Sequence, residues 1–276
     1  MEIRAGAPFV KNQCVRMGLA SGIDVAQASV MSFLRERLGE AVGAVLAPVV
    51  QQVSRARRAR TFHPDGLVFQ ATVTSLDDGG EGSGVGQRLA GSALVRCSGA
   101  LWRRGPQLPD VLGVAMRFRK TDALSVDVMP GDQDLLFATI VSPVTMPFSP
   151  FTTDVTDFSH NHFWAVSPFD VEGPGRSKLR LSPLTKAELN PGSREEKLRQ
   201  AVSLHLAGWV LELRQTWSPG YRPIARIMLD REVQVDQAAL HFSAFNDGLG
   251  FQPRGFVHAI RKAVYPASQK GRPATT

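Results

Sequence analysis

Arg261-Lys262-Ala263-Val264-Tyr265-Pro266-Ala267-Ser268-Gln269-Lys270-Gly271-Arg272, close to the C-terminus, contains one of only two tyrosines in the chain; the other is Tyr221. Arg261 precedes Tyr265 by four residues, about one helical turn, so on a helix the two share a face. A guanidinium beside a phenol favours the phenolate, and a phenolate is one of the few protein ligands for haem iron. A buried tyrosine followed by a basic tail is the plainer reading of the same residues, and spacing alone does not separate the two.

Outward from this stretch, the expected elements run back toward the N-terminus. Phe256 to Gln269 reads as the helix that carries Tyr265. Ala239 to Phe242, Ile224 to Leu229 and Leu206 to Trp217 read as strands. Ser193 with Glu196 three residues on is a capping box, opening a helix to roughly His205. Lys178 to Ser182 and Phe163 to Ser167 read as strands, and residues 142–162, rich in Pro, Ser, Thr and Phe, as a long ordered loop. Within that loop His160 and His162 flank Asn161; no third ligand accompanies them, and they read as a loop pair without a metal. Leu135 to Val141, Ala123 to Met129, Leu112 to Arg119 and Ala93 to Ser98 are further strands.

Residues 77–89 (DDGGEGSGVGQRL) lack the spacing of a dinucleotide-binding loop and read as a flexible hairpin connection. Leu67, Phe69, Ala71 and Val73 alternate, which predicts a strand with one buried face. From Asp24, apolar residues at Val25, Ala28, Phe33, Leu34, Leu38, Val42, Val45 and Val49 predict an amphipathic helix that Pro48 kinks or ends. Residues 1–20 read as an irregular arm and 273–276 as a tail. Short strands punctuated by Gly and Pro, with helices chiefly toward the ends, predict an α+β chain. It would be one domain over residues 1–276, built on an antiparallel barrel with flanking N- and C-terminal helices.

Composition narrows the classes. The formal net charge is +7, which raises a polyanionic partner. The densest basic cluster, Arg55, Arg57, Arg58 and Arg60, belongs to no nucleic-acid motif, so nucleic acid is not expected. Cys14 and Cys97 have neither CxxC nor Cys/His metal spacing, which fits a reducing cytoplasm. No signal peptide is read at the N-terminus. No stretch approaches the ~20 apolar residues of a membrane span.

Two more segments carry chemistry. Arg60-Thr61-Phe62-His63-Pro64-Asp65-Gly66 places a histidine just before the first strand. Histidine can take and return a proton near neutral pH; a structural histidine is the plainer alternative. In Val95-Arg96-Cys97-Ser98, strand alternation puts Arg96 and Ser98 on one face.

In this order the segments resemble the haem catalases. Arg261, Tyr265, Pro266, Gln269 and Arg272 fill that family's proximal pattern of Arg, three residues, Tyr-Pro, two residues, Gln, two residues, Arg. Arg60, His63 and Gly66 match its distal-histidine segment, and Val95 to Ser98 its Val-Arg-Phe-Ser strand. Pro109 to Phe118 is similar to its Arg-Asp-x-Arg-Gly-Phe-Ala-x-Lys-Phe, and Asp134-Leu135-Leu136 to its Trp-Asp-Leu. The resemblance implies a catalase-type barrel holding one haem b, with Tyr265 on the iron and Arg261 keeping it a phenolate. It implies His63 as distal acid/base, oriented by Ser98. Arg60, Arg96 and Arg272 would meet the haem propionates, and Phe62 would pack on the haem. Phe151 is the candidate for the family's distal-side phenylalanine.

The chain departs from the family in two ways. The distal asparagine is replaced by Ala138, with Thr139 beside it, and the chain is much shorter than an ordinary catalase. Loss of an amide that orients peroxide predicts weak or no catalase activity. A more open haem would admit organic peroxides or bulky reductants. The resemblance therefore implies a small catalase-related haem peroxidase, acting on hydrogen or organic peroxides with an external electron donor. Its rivals are a fatty-acid hydroperoxide isomerase or dehydratase of allene oxide synthase type, and a non-enzymatic haem carrier or sensor. A homo-oligomer is left open.

Overall fold

The computed structural model describes residues 66–77, 84–100, 108–121, 125–142, 145–237 and 239–255. The helices expected at both ends therefore lie outside the described residues, as do Arg60, Phe62, His63, Arg261, Tyr265 and Arg272. The strands are β1 (Leu67–Ser75), β2 (Gly91–Gly99), β3 (Leu112–Arg119), β4 (Gln133–Ala138), β5 (Phe163–Trp164), β6 (Phe169–Val171), β7 (Gly175–Pro183), β8 (Gly208–Gln215), β9 (Arg222–Glu232) and β10 (Phe251–Pro253). The helices are α1 (Val85–Leu89), α2 (Ser149–Thr152) and α3 (Arg194–Ser203).

All strand pairings are antiparallel, in the order β10-β6-β7-β5-β4-β3-β2-β1-β9-β8, and β8 also pairs with β7. That last pairing closes eight strands into a barrel, leaving β6 and β10 as an extension from β7. Closure removes the unpaired edges that an open sheet would leave. The fold is α+β on an antiparallel barrel, as expected.

Alternation fills the interior. Phe69, Ala71 and Val73 of β1 point inward with Val95, Cys97, Met116, Phe118, Leu135, Phe163, Leu181, Trp209, Leu211 and Ile227. A second apolar cluster lies on the outer face. There Val68 and Leu94 meet Leu240 and Phe242, with Ala115, Leu136, Val233 and Val235 packed against them. The segment after β9 thus crosses back over the outside of β1–β4.

The outer segment is held largely by a buried ion-pair ladder. Arg117 faces Asp134 across β3–β4, Nε to Oδ1 at 2.8 Å and Nη2 to Oδ2 at 2.9 Å. Arg119 and Asp132 form a second bidentate pair at 2.9 and 2.7 Å. Burial works to raise the Asp132 carboxyl, but the hydrogen bond from Arg119 and the amide of Met129 outweigh it and hold the group below the usual carboxylate range.

Several expectations are corrected. Residues 125–129, expected within a strand, form no strand: Arg117 Nη1 takes the Val126 carbonyl (2.8 Å) and Arg119 Nη2 that of Asp127 (2.7 Å). Leu240 to Phe242 likewise run without a ladder, because Arg117 donates to the His241 carbonyl and Asp134 accepts from the Ser243 amide. Residues 85–89 are not hairpin loop but α1. It docks so closely on β9 that a Cβ at Gly86 would lie 1.8 Å from the Ile224 carbonyl oxygen. The strand from Leu135 ends at Ala138 and that from Phe163 at Trp164, and β6 and β10 have no sequence counterpart.

The Ser193 capping box is present: Ser193 Oγ accepts from the Glu196 amide and Glu196 Oε2 from the Ser193 amide (2.8 Å). The helix ends at Ser203, and His205 sits in the left-handed region. Among the described residues no helix is long and apolar enough to cross a membrane.

Cys97 is wholly inside the barrel. Burial pushes its thiol up to about 12, against a smaller opposing effect of Arg96. Since the thiolate is the reactive form, Cys97 is expected to stay unlabelled when the native protein is alkylated at pH 8, and to react fully in denaturant. Peptide mass spectrometry reads both states; native labelling at Cys97 would contradict the burial.

Candidate functional site

The register of β1–β4 sets side chains in rows on the barrel's outer face. Val68, Arg96, Ala115 and Leu136 form one row; Ser98, Gly113 and Ala138 form the next. Arg96 and Ser98, predicted to share a face, do so. Arg96 is 3% exposed, and its Nη1 donates to Ser98 Oγ at 3.0 Å.

Arg96 has a second partner that the sequence did not reveal. Its Nε donates to Gln237 Oε1 at 3.1 Å. Gln237 lies in the crossing segment and donates from Nε2 to the Gly66 carbonyl. The guanidinium is therefore pressed against the backbone where β1 begins, three residues after His63. A Cβ at Gly66 would lie 2.9 Å from Arg96 Cζ and 2.7 Å from the Cys97 carbonyl oxygen, so only glycine fits there. Nothing in the sequence singles out Gln237: it is 141 residues from Arg96, in no recognisable motif.

The rest of the row is small. Gly113 and Ala138 follow Ser98, and Trp164 faces Ala138 on β5. Thr139, beside Ala138, is engaged within the fold. Its Oγ1 accepts from the Leu112 amide at 3.1 Å and from the Thr153 hydroxyl at 2.7 Å, closing the 139–153 loop. Phe151 lies in α2 and is 76% exposed. Asp110, two residues before β3, is fully buried, its Oδ1 accepting from the Val111 amide at 2.7 Å and from the Ala100 amide at 3.2 Å.

His160 and His162 diverge. His160 Nδ1 lies 3.3 Å from Asp154 Oδ2, whereas His162 Nδ1 meets Ser182 Oγ at 3.1 Å. Burial, assisted by Arg180, lowers the His162 pKa. Among the described residues no group of three or more His, Cys, Asp or Glu is placed to hold a metal ion.

The structure thus brings Arg96, Ser98 and the row of Ala138 together beside the start of β1. The remaining predicted site residues fall outside the described residues. What is described is a buried guanidinium with a hydroxyl beside it, followed in the next row by Gly113 and Ala138 and then by Trp164.

No family model matches the sequence, and no curated protein matches it. Among solved structures, the fold is similar to the crystal structure of a fungal catalase, with a TM-score of 0.54 and 13% sequence identity. The alignment covers 78% of this chain and 59% of that one, so the chain spans well under two thirds of the catalase's length. At this identity the likeness is one of fold.

Proposed function

We propose that the chain binds haem b and reduces a peroxide, organic in preference to hydrogen peroxide, with electrons from an external donor. The observation that carries this reading is the buried Arg96–Ser98 pair set against Gly66, three residues from His63, on a barrel of catalase type. Tyr265 would be the iron ligand, Arg261 would favour its phenolate form, and Arg60, Arg96 and Arg272 would hold the propionates, with Phe62 packed on the ring. Bound haem would supply the two-electron exchange with the peroxide O–O bond.

The chain's own residues manage protons and access. His63 takes the proton of the hydroperoxide and returns it to the leaving oxygen as the O–O bond breaks. Ser98 holds the imidazole in the orientation that this requires. Over the whole reaction the donor gives two electrons, two protons enter, and the products are an alcohol and water. Gly113 and Ala138 leave room for an alkyl group where an amide would hold a second small peroxide.

The test is the absorption spectrum of the purified protein supplied with haem, wild type beside Tyr265→Phe. A high-spin ferric spectrum of tyrosinate type in the wild type, changed or lost in the variant, is expected. Identical spectra, or a wild type that takes up no haem, would remove the reading at its central residue.

A further inference from the structure

We infer that His162, with Trp164 beside it, is the site at which a phenolic electron donor binds and gives up its proton. The inference rests on the haem reading above and names the class of donor which that reading requires. The outer-face row of Ser98, Gly113 and Ala138 continues through Trp164 to Arg180 and Glu212. His162 stands two residues before Trp164 on the same face, while Phe163 between them is buried in the barrel. The two rings are 6.0 Å apart between centroids and tilted by 41°, and both are half-buried.

Hydrogen bonding decides which ring nitrogen is free. Glu212 Oε2 accepts from Arg180 Nε and from the Ser182 hydroxyl, each at 2.6 Å. A hydroxyl has one proton, and Ser182 gives it to Glu212. Ser182 Oγ therefore meets His162 Nδ1, 3.1 Å away, as an acceptor, and the ring proton sits on Nδ1. In the neutral ring Nε2 then carries the lone pair, and none of the described residues donates to it. Burial first and Arg180 second lower the pKa of His162, against a smaller opposing effect of Glu212, so the ring is neutral near pH 7.

A lone pair beside an aromatic face is complementary to a phenol. The O–H donates to Nε2 while the ring packs against the Trp164 indole. Arg180 is engaged by Glu212 and by the Tyr221 ring, whose centroid lies 4.2 Å from its Cζ, so it does not select for an acid. One-electron oxidation of a phenol breaks its O–H bond. The proton goes to His162 Nε2 and then to solvent, and the electron goes to the peroxide O–O bond. Two phenols per hydroperoxide give two phenoxyl radicals, one alcohol and one water, which take up the two protons released. Trp164 faces Ala138 across β4–β5, so the donor lies one strand from the row that starts at Ser98.

The experiment compares wild type with His162→Phe, which keeps a flat ring and removes the base, in two measurements. The first is calorimetric titration with phenol and with anisole, whose oxygen carries a methyl group in place of the proton. Wild type should bind phenol about three- to tenfold more tightly than anisole, the scale of one neutral hydrogen bond, and the variant should bind both alike. The second is kcat/KM of the haem-loaded protein with cumene hydroperoxide and either guaiacol or ferrocyanide, a one-electron donor with no proton to give. The guaiacol-to-ferrocyanide ratio should fall about 10²-fold in the variant, the low end of the effect of a positioned base. Thermal midpoints check folding, and His162→Gln carries both measurements if His162→Phe does not fold. Equal binding of phenol and anisole by wild type, or a ratio unchanged in the variant because both donors fall alike or neither does, overturns the inference while the haem reading stands. A wild type that takes up no haem fails that reading, and the donor role with it.

Discussion

Replacing His63 by alanine is expected to lower peroxide turnover by about 10²–10⁴-fold while haem stays bound, the usual weight of a positioned general acid/base. The two effects separate because the proposed haem anchors are elsewhere. Tyr265 is the proposed iron ligand, and Arg60, Arg96 and Arg272 are the residues proposed to hold the propionates. Ser98 keeps its bond from Arg96 in the variant, so that side of the site should not collapse. The measurement is kcat/KM per bound haem, with cumene hydroperoxide and a one-electron dye as donor. Unchanged turnover with haem still bound would remove the proposed role of His63. Omitting the donor should stop wild-type turnover. Consumption of a lipid hydroperoxide without a donor would instead mark an isomerase.

How far the fold could be read from sequence follows from what holds each segment. Where a strand is held by its ladder and its interior side chains, alternation suffices: β3 runs from Leu112 to Arg119 as its pattern predicts. Where a segment is held by side chains from elsewhere, periodicity misleads. Residues 125–129 and Leu240 to Phe242 have apolar content suited to a strand, but Arg117 and Arg119 take carbonyls within them, and Asp134 takes the amide of Ser243 next in line. Gly86 misled in the other direction. A glycine-rich run reads as flexible, yet Gly86 is needed because α1 approaches the β9 backbone too closely for a Cβ.

The candidate site divides in the same way. Arg96 and Ser98 are two apart on one strand, so local alternation places them together. Gln237 reaches them only through the crossing of the outer face, a tertiary event with no local signature. That Ala138 stands where the resemblance expects an asparagine was readable from the sequence, whereas the bonds of Thr139 to Leu112 and Thr153 form only in the folded chain.

The crossing segment is also where the largest stability effect is expected. Asp134→Ala should destabilise the protein by about 3–5 kcal/mol, the cost of breaking a buried ion pair from one side. Asp134 is fully buried and accepts from Arg117 Nε and Nη2, the Ser243 amide and Asn246 Nδ2 (2.8 Å). Its removal strands the Arg117 guanidinium, only 1% exposed and 5.2 Å from the Phe242 ring centroid, and unfastens residues 243–246 from β4. The comparison is Glu232→Ala, which breaks a bidentate pair with the half-exposed Arg199 (2.7 Å) and should cost about 0.2–1 kcal/mol. Urea midpoints at constant m-value measure both. The double variant Arg117→Met/Asp134→Leu should recover part of the loss, because it removes the unpaired Arg117 charge but not the loss of the bonds to the Val126 and His241 carbonyls, the Ser243 amide and Asn246. If Asp134→Ala costs no more than Glu232→Ala, the ladder does not hold the segment.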